Sequence, residues 1–320
     1  MNKLKLISGI LFLFLFSSCA DREIYEDITN PGVDGLFKEL NGNVSGTLTI
    51  QDSPYKVSGD IVVPSNSSLT INPGVELYFV KDARLIVNGK LIVQGNPYYT
   101  VLFAAYDKNL NWRGIKFFNS LLNSTIDFAE IREIRENGDS TYSSSISIIN
   151  SSVEITHSII YQNSAVSGGA IGIDNATVVI KNNILRDNKA DTFGGTIIAE
   201  QSDLTLINNT LFQNKSSNCC GGVFVLNPQK TDIQNNIFYK NSSFSGNPHF
   251  VYSSEDSSTL IEQYNYFAFG NMDPLFYTDF DLRLYYLSPC KDAGNPDTVF
   301  NDYNGTRNDQ GAYGGPLGNW

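Results

Sequence analysis

Ionisable residues crowd most densely in Glu130-Ile-Arg-Glu-Ile-Arg-Glu-Asn-Gly-Asp139, where carboxylates alternate with guanidinium groups. Just upstream, Trp112-Arg-Gly-Ile-Lys-Phe117 adds an aromatic ring and an amine. Strict strand alternation puts Trp112, Gly114 and Lys116 on one side. If the charged loop folds over Trp112, then Lys116, Glu130, Glu133 and Arg135 meet beside an aromatic platform, a setting for acid–base work on a sugar. The competing reading is a solvated excursion between structural units, the ordinary fate of a charge run. Neither histidine offers better: His157 sits in a turn motif and His249 has no partner nearby in sequence. No Ser-His-Asp set or His-Glu-x-x-His motif can be drawn. Asp292, Asp297, Asp302, Asn304 and Asp309 gather hard oxygen ligands around turns, which calcium could use. Their spacing matches no EF-hand, and Asx turns account for the same residues. No cofactor is therefore expected, with calcium the one left open. Cys219 and Cys220 are adjacent and Cys290 is distant, which suits neither a disulfide framework nor a zinc site. They read as small buried hydrophobes.

The elements that must carry these groups announce themselves as a repeat. Ile155-Thr-His-Ser-Ile-Ile-Tyr-Gln-Asn163, Ile180-Lys-Asn-Asn-Ile-Leu-Arg-Asp-Asn188, Leu206-Ile-Asn-Asn-Thr-Leu-Phe-Gln-Asn214 and Ile233-Gln-Asn-Asn-Ile-Phe-Tyr-Lys-Asn241 align directly. Their closing asparagines advance by about 26 residues, a period of stacked supersecondary units. Glycine pairs follow, at Gly168-Gly169, Gly194-Gly195 and Gly221-Gly222, each leading into a β-branched or aromatic run. From Val44 to about Phe118, short strand signals bounded by Gly, Asn, Pro or Ser follow one another with no helical period between them. Three strands and three corners per coil give an all-β, three-sided solenoid of about 26 residues per coil. A leucine-rich repeat fits part of Leu204-Thr-Leu-Ile-Asn-Asn-Thr-Leu211. It fails because Gly-Gly and a further strand, not a convex segment, complete the unit. Asn182, Asn208 and Asn235 occupy the turn and are expected to bond their amides up the stack.

Gly59-Asp-Ile-Val-Val63, Leu69-Thr-Ile-Asn-Pro-Gly-Val75, Leu85-Ile-Val-Asn-Gly-Lys-Leu-Ile-Val93 and Trp112-Arg-Gly-Ile-Lys-Phe117 resemble the opening coils of right-handed parallel β-helices of the pectate-lyase-like superfamily. Asp273-Pro-Leu-Phe276, Leu287-Ser-Pro-Cys-Lys-Asp-Ala-Gly294 and Asn308-Asp-Gln-Gly-Ala-Tyr-Gly-Gly-Pro316 are similar to the C-terminal segment of such proteins. The resemblance covers residues 44–316 and implies architecture far more than activity, since the superfamily mixes lyases, hydrolases, epimerases and binders. It also implies that chemistry, where present, sits on the strand after the glycine pair. There Ile171, Ile197 and Phe224 are expected inside. Ser145, Ser147, Ala170, Gly172, Thr196, Ile198, Val223 and Val225 are then outside, and none is charged. A glycosidase needs two carboxylates, and a lyase a base and a neutralising charge, so that face supplies neither.

On the strand before it, Ile160, Leu185, Leu211 and Phe238 form an inward column. Arg132, Tyr161, Arg186, Phe212 and Tyr239 must then stack outward. This stripe, with Trp112, could receive sugar rings, or it could be a self-satisfied ladder of aromatic and cation–π contacts.

The ends suggest location. Lys3, Lys5, the apolar run Leu6–Phe16 and Ser17-Ser18-Cys19 read as an export signal, and the small residues before Cys19 resemble a bacterial lipobox. Acidic Ala20–Asp27 resembles the tether of surface lipoproteins of Bacteroidetes. The expected organisation is signal peptide 1–18, acylated Cys19 with linker to 43, β-helix 44–271 and C-terminal cap 272–320. The net charge of −11 disfavours nucleic acid and anionic membrane surfaces. The expectation is a monomeric outer-membrane lipoprotein, anchored by lipid alone and exposed at the cell surface. Its partner would be a polysaccharide or a surface protein. Non-catalytic binding, a polysaccharide lyase or glycosidase, and a purely structural module are the three functions that fit.

Overall fold

A computed structural model describes residues 36–120, 122–138 and 143–320. The signal, Cys19, most of the linker and Asp139 lie outside the described residues.

The chain winds into a parallel β-solenoid of about eight turns at about 26 residues per turn. One coil shows the logic. Ser152–Thr156 forms the first side and Ile159–Tyr161 the second. A short corner strand, Ser164–Ala165, precedes the third side at Ile171–Asp174. Each pairs in parallel register with its equivalent in the next coil, as Val153 with Val178, then Leu204, then Thr231. Period-two alternation sends every second side chain inward. Ile71, Val93, Ile126, Ile155, Ile180, Leu206 and Ile233 therefore pile into one fully buried column. Burying each such side chain is worth about 1.5–3 kcal/mol.

The corners depend on residues that accept the left-handed conformation. Asn182, Asn208 and Asn235 have φ of +54°, +54° and +59°, while Asn175, Gln201 and Asn227 make the corner between the third and first sides. The left-handed residue turns its side chain out and the following one in. The amide ladder consequently runs one residue later than the sequence suggested. Nδ2 of Asn183 donates to Oδ1 of Asn209, Asn209 to Asn236 and Asn236 to Asn265, at 2.9–3.0 Å. A second ladder joins the closing residues Asn163, Asn188, Asn214 and Asn241 at 3.0–3.1 Å. Each inner amide also bonds backbone carbonyls, so buried polar groups that would cost about 1–3 kcal/mol apiece are satisfied.

One boundary, and the placement of the C-terminal segment, differ from expectation. Lys38–Asn43, assigned above to the linker, is a strand paired with Tyr55–Val63 and already belongs to the first coil. The C-terminal segment is not a lid on the last coil. It runs back along the outside of the Asn-Asn corner, and the outward asparagines hold it. Asn295 N–H donates to Asn235, Asn208 donates to the Asp309 carbonyl, and Asn182 donates to the carbonyls of Ala312 and Gly314. The His157 ring contacts the Leu317 carbonyl at 3.1 Å, and Trp320 meets Phe128 and His157 edge-on. This strap buries a second apolar cluster of Ile184, Phe212, Leu282 and Ala312 outside the main core.

Candidate functional site

Lys116 and Trp112 part company. Gly114 adopts φ +85° between them and breaks the alternation. Trp112 therefore points into the core, fully buried, stacked on Phe79 at 4.1 Å and donating Nε1–H to the Arg132 carbonyl. It offers no platform to a ligand. Lys116 points outward from Ile115–Phe118, in register with Ser147, and so lies on the very face that the resemblance marks for chemistry. That face continues through Gly172, Ile198, Phe224 and Val251.

The parity expected for its later coils needs correcting. Val223, not Phe224, pairs with Ile197, and Val223 and Val225 are buried while Phe224 stacks outside on Phe193 at 5.1 Å. The cause is the preceding corner, where Cys220 (φ +60°) occupies the place held by Gly194 and Gly168 one and two coils earlier. Aligning the glycine pairs by type shifted the strand by one residue. The same parity turns Asp174 and Glu200 outward, neighbours in register, so the face does carry carboxylates. Burial, then the nearby Glu200, raises the Asp174 pKa above the usual carboxylate value.

Around Lys116 a cleft of about 310 Å³ is lined by Arg84, Ile86, Arg113, Lys116, Phe118 and Glu136, with Ser147 and Ile149 on its floor. Glu136, not singled out above, is its anchor. One oxygen accepts from Arg113 and from Gly138 N–H, and the other lies 3.1 Å from Lys116 Nζ. Lys116 also donates to the Ser144 carbonyl and to Ser147 Oγ. Arg84 pairs with Asp60 at 2.7 Å on the rim. Burial pushes the Lys116 ammonium down to about 8 against the pull of Glu136. For Glu136 the balance is reversed. Burial would raise its pKa, but Lys116, Arg113 and the Gly138 N–H together hold it below the ordinary value. Among the described residues, Arg84, Arg113 and Lys116 against Asp60 and Glu136 leave one net positive charge there, in a chain of net charge −11. Phe118 supplies an exposed ring beside them.

The other sequence candidates gather elsewhere. Glu130, Arg132, Glu133 and Tyr161 form their own cluster on the second side, where Tyr161 donates to Glu130 at 2.7 Å and Arg132 Nε donates to the same oxygen at 3.0 Å. Arg132 also pairs with Glu133. Burial and the adjacent Glu130 push the Tyr161 hydroxyl far up. Arg135 is exposed, and its backbone joins Trp112 to the Ser164 strand end. Lys116 and the trio Glu130, Glu133 and Arg135 are thus not one site.

The stripe Arg132, Tyr161, Arg186, Phe212 and Tyr239 is in vertical register. It is not an open surface. Phe212 is fully buried under Phe276 of the strap, Arg132 is 7% exposed, and Tyr239 also packs on Phe276. Arg186 lies 5.7 Å from the rings of both Phe212 and Phe280 and donates to the Asp279 carbonyl. The faces of Phe212, and part of Tyr239, that a sugar would use are filled by the protein itself.

The oxygen-rich C-terminal turns hold backbone. Asp302 accepts from the N–H groups of Asp309 and Gly315, Asp309 from Asp292, Asp297 from Val299, and Asn304 from Thr306. Among the described residues no cluster of three His, Cys, Asp or Glu is placed to hold a metal. A second cleft, about 460 Å³, opens between limbs of the strap at Tyr277, Arg283, Lys291 and Tyr313. Its cations are paired with Asp281 and Asp309.

No family model matches the chain. No solved structure matches it either. A stretch of 75 residues, 23% of the chain, is 37% identical to part of Protein bark beetle from Drosophila melanogaster. The match spans 2% of that protein, so it illustrates a shared segment and carries nothing about the activity of the whole.

Proposed function

We propose that this protein is a non-catalytic β-helix lipoprotein of the bacterial cell envelope, lipidated at Cys19 and exposed at the outer membrane, which binds a glycan in the cleft around Lys116. Carboxylated sugars are the favoured class. The observation that carries this reading is the set Arg84, Arg113 and Phe118 around the paired Lys116 and Glu136 in one cleft. Planar guanidinium groups suit carboxylates and ring hydroxyls, and an aromatic ring suits the C–H face of a sugar. Lys116 makes three contacts, to Ser144, Ser147 and Glu136, which match its three donors and favour a fixed binding role over proton transfer.

Affinity electrophoresis through gels containing acidic or neutral polysaccharide tests the proposal. Retardation by an acidic glycan that is lost in Arg113→Ala plus Phe118→Ala supports it. Retardation that survives this pair and disappears in Tyr161→Ala plus Tyr239→Ala would move the site to the other flank. A second reading, a uronate lyase, draws on the Lys116 pKa near 8 beside two arginines, the profile of an amine able to take a proton. Release of unsaturated oligosaccharides, abolished by Lys116→Ala, would replace binding with that activity.

A further inference from the structure

Cys219 and Cys220 stand at the corner before the third side, and their sulfurs are 2.9 Å apart. A disulfide requires about 2.05 Å, so closing the gap takes less than ~1 Å of movement. The corner that holds them is fixed on both sides. The carbonyls of Cys219 and Cys220 accept from Gly194 and Gly195 of the coil before, and Cys219 pairs with Ser245 of the coil after. Gly246 leaves room for the Cys219 sulfur, which a β-carbon there would meet at 3.1 Å. Cys220 takes a left-handed position, φ +60°, that glycine holds in the two preceding coils at +60° and +61°. A β-carbon there is unfavourable by about 1–2 kcal/mol, so the coil keeps a thiol where glycine would be easier. The pair is also graded in access: Cys220 is buried and Cys219 is half-buried.

We propose that Cys219 and Cys220 are a reversible modification site, a vicinal dithiol that closes to a disulfide by exchange with a small-molecule or protein disulfide. In the first step the more accessible Cys219 thiolate attacks one sulfur of the oxidant and forms a mixed disulfide. One oxidant thiol leaves in this step. Cys220 then loses its proton to solvent and attacks the Cys219 sulfur, expelling the second oxidant thiol. Two protein thiols are oxidised, and one disulfide is reduced to two thiols. Adjacent Cα atoms are about 3.8 Å apart, below the usual disulfide range of about 4.4–6.8 Å. Such a bond is strained and easily reduced, the property of a labile rather than a structural bridge. Burial, reinforced by the neighbouring sulfur, raises the pKa of the Cys220 thiol, so Cys220 is not the first to attack. This site is independent of the glycan reading.

Trypsin separates the cysteines, placing Cys219 and Cys220 in Ser216–Lys230 and Cys290 in Leu284–Lys291. The full chain is equilibrated with oxidised or with reduced glutathione, alkylated in denaturant, digested and weighed. The expected result in oxidised glutathione is a Ser216–Lys230 fragment lighter by two hydrogens than the dithiol and carrying no alkyl group. In reduced glutathione the same fragment is doubly alkylated, while the Cys290 fragment is singly alkylated in both. Double alkylation of Ser216–Lys230 in both buffers, a lasting glutathione adduct on the wild-type pair, or a bridge to another cysteine overturns the proposal. Cys220→Gly restores the residue type of the neighbouring coils and leaves Cys219 without a partner. Its Cys219 is expected to retain glutathione as a stable adduct, and an unreactive Cys219 there overturns the order of attack.

Discussion

Two outward columns of the same solenoid, one through Lys116 and Ser147 and the other through Tyr161, Arg186 and Phe212, obey the same alternation and meet opposite fates. The first stays open and shapes a cleft. The second is roofed at Arg186 and Phe212 by Phe276 and Phe280, which arrive on a strap some tens of residues later in the chain. Facing out of a coil is thus not the same as facing solvent. An outward aromatic in a β-helix belongs to a binding surface only when no lateral segment has claimed it.

Substitution of the two phenylalanines separates the columns most sharply. Phe212→Ala should destabilise the fold by about 3–4 kcal/mol, because it empties a dry site beneath the strap. Phe118→Ala, on the open face and 36% exposed, should cost less, about 1–2 kcal/mol. Urea unfolding monitored by tryptophan fluorescence measures both, and equal losses would erase the distinction drawn between the flanks.

The next effect concerns charge. Below pH about 8 both folded and unfolded states keep the Lys116 proton, and the penalty of the buried ammonium is fully present. Between about 8 and 10.5 the folded protein has released that proton while the unfolded chain still binds it. Stability should therefore rise with pH across that window, by on the order of 2–3 kcal/mol relative to Lys116→Met. Parallel stability profiles for wild type and variant between pH 7 and 10 would show that the cleft does not hold Lys116 in a desolvated state.

A smaller effect is expected on the covered flank. Tyr161→Phe removes one hydrogen bond to Glu130 and should weaken the fold by about 1 kcal/mol. Arg186→Ala should lose about 1 kcal/mol through its contacts with Phe212 and Phe280. Neither should alter glycan retardation, and a loss of retardation in either would return the binding surface to this side.

Much of the coil was legible in advance because its signals are local. The closing asparagines gave the period, and Ile160, Leu185, Leu211 and Phe238 are inward and in register as expected. The errors arose where one residue changed the parity. Gly114 reversed Trp112 relative to Lys116, and Cys220 standing in for glycine displaced Phe224. Glu136 was visible only as one charge in a run, since its value lies in reaching Arg113 and Lys116 from 20 or more positions away in sequence. The adjacent cysteines were equally visible as letters. Their meaning appears only when the corner brings the sulfurs to 2.9 Å.

The sequence by itself determined the stacked coils, their period and the inward apolar columns, because alternation and burial are enforced by neighbours a few residues or one coil away. Tertiary structure alone decided which outward face remains free. That choice rests on where the C-terminal strap docks, on the outward asparagines Asn182, Asn208 and Asn235, and no local pattern in the covered strands records it.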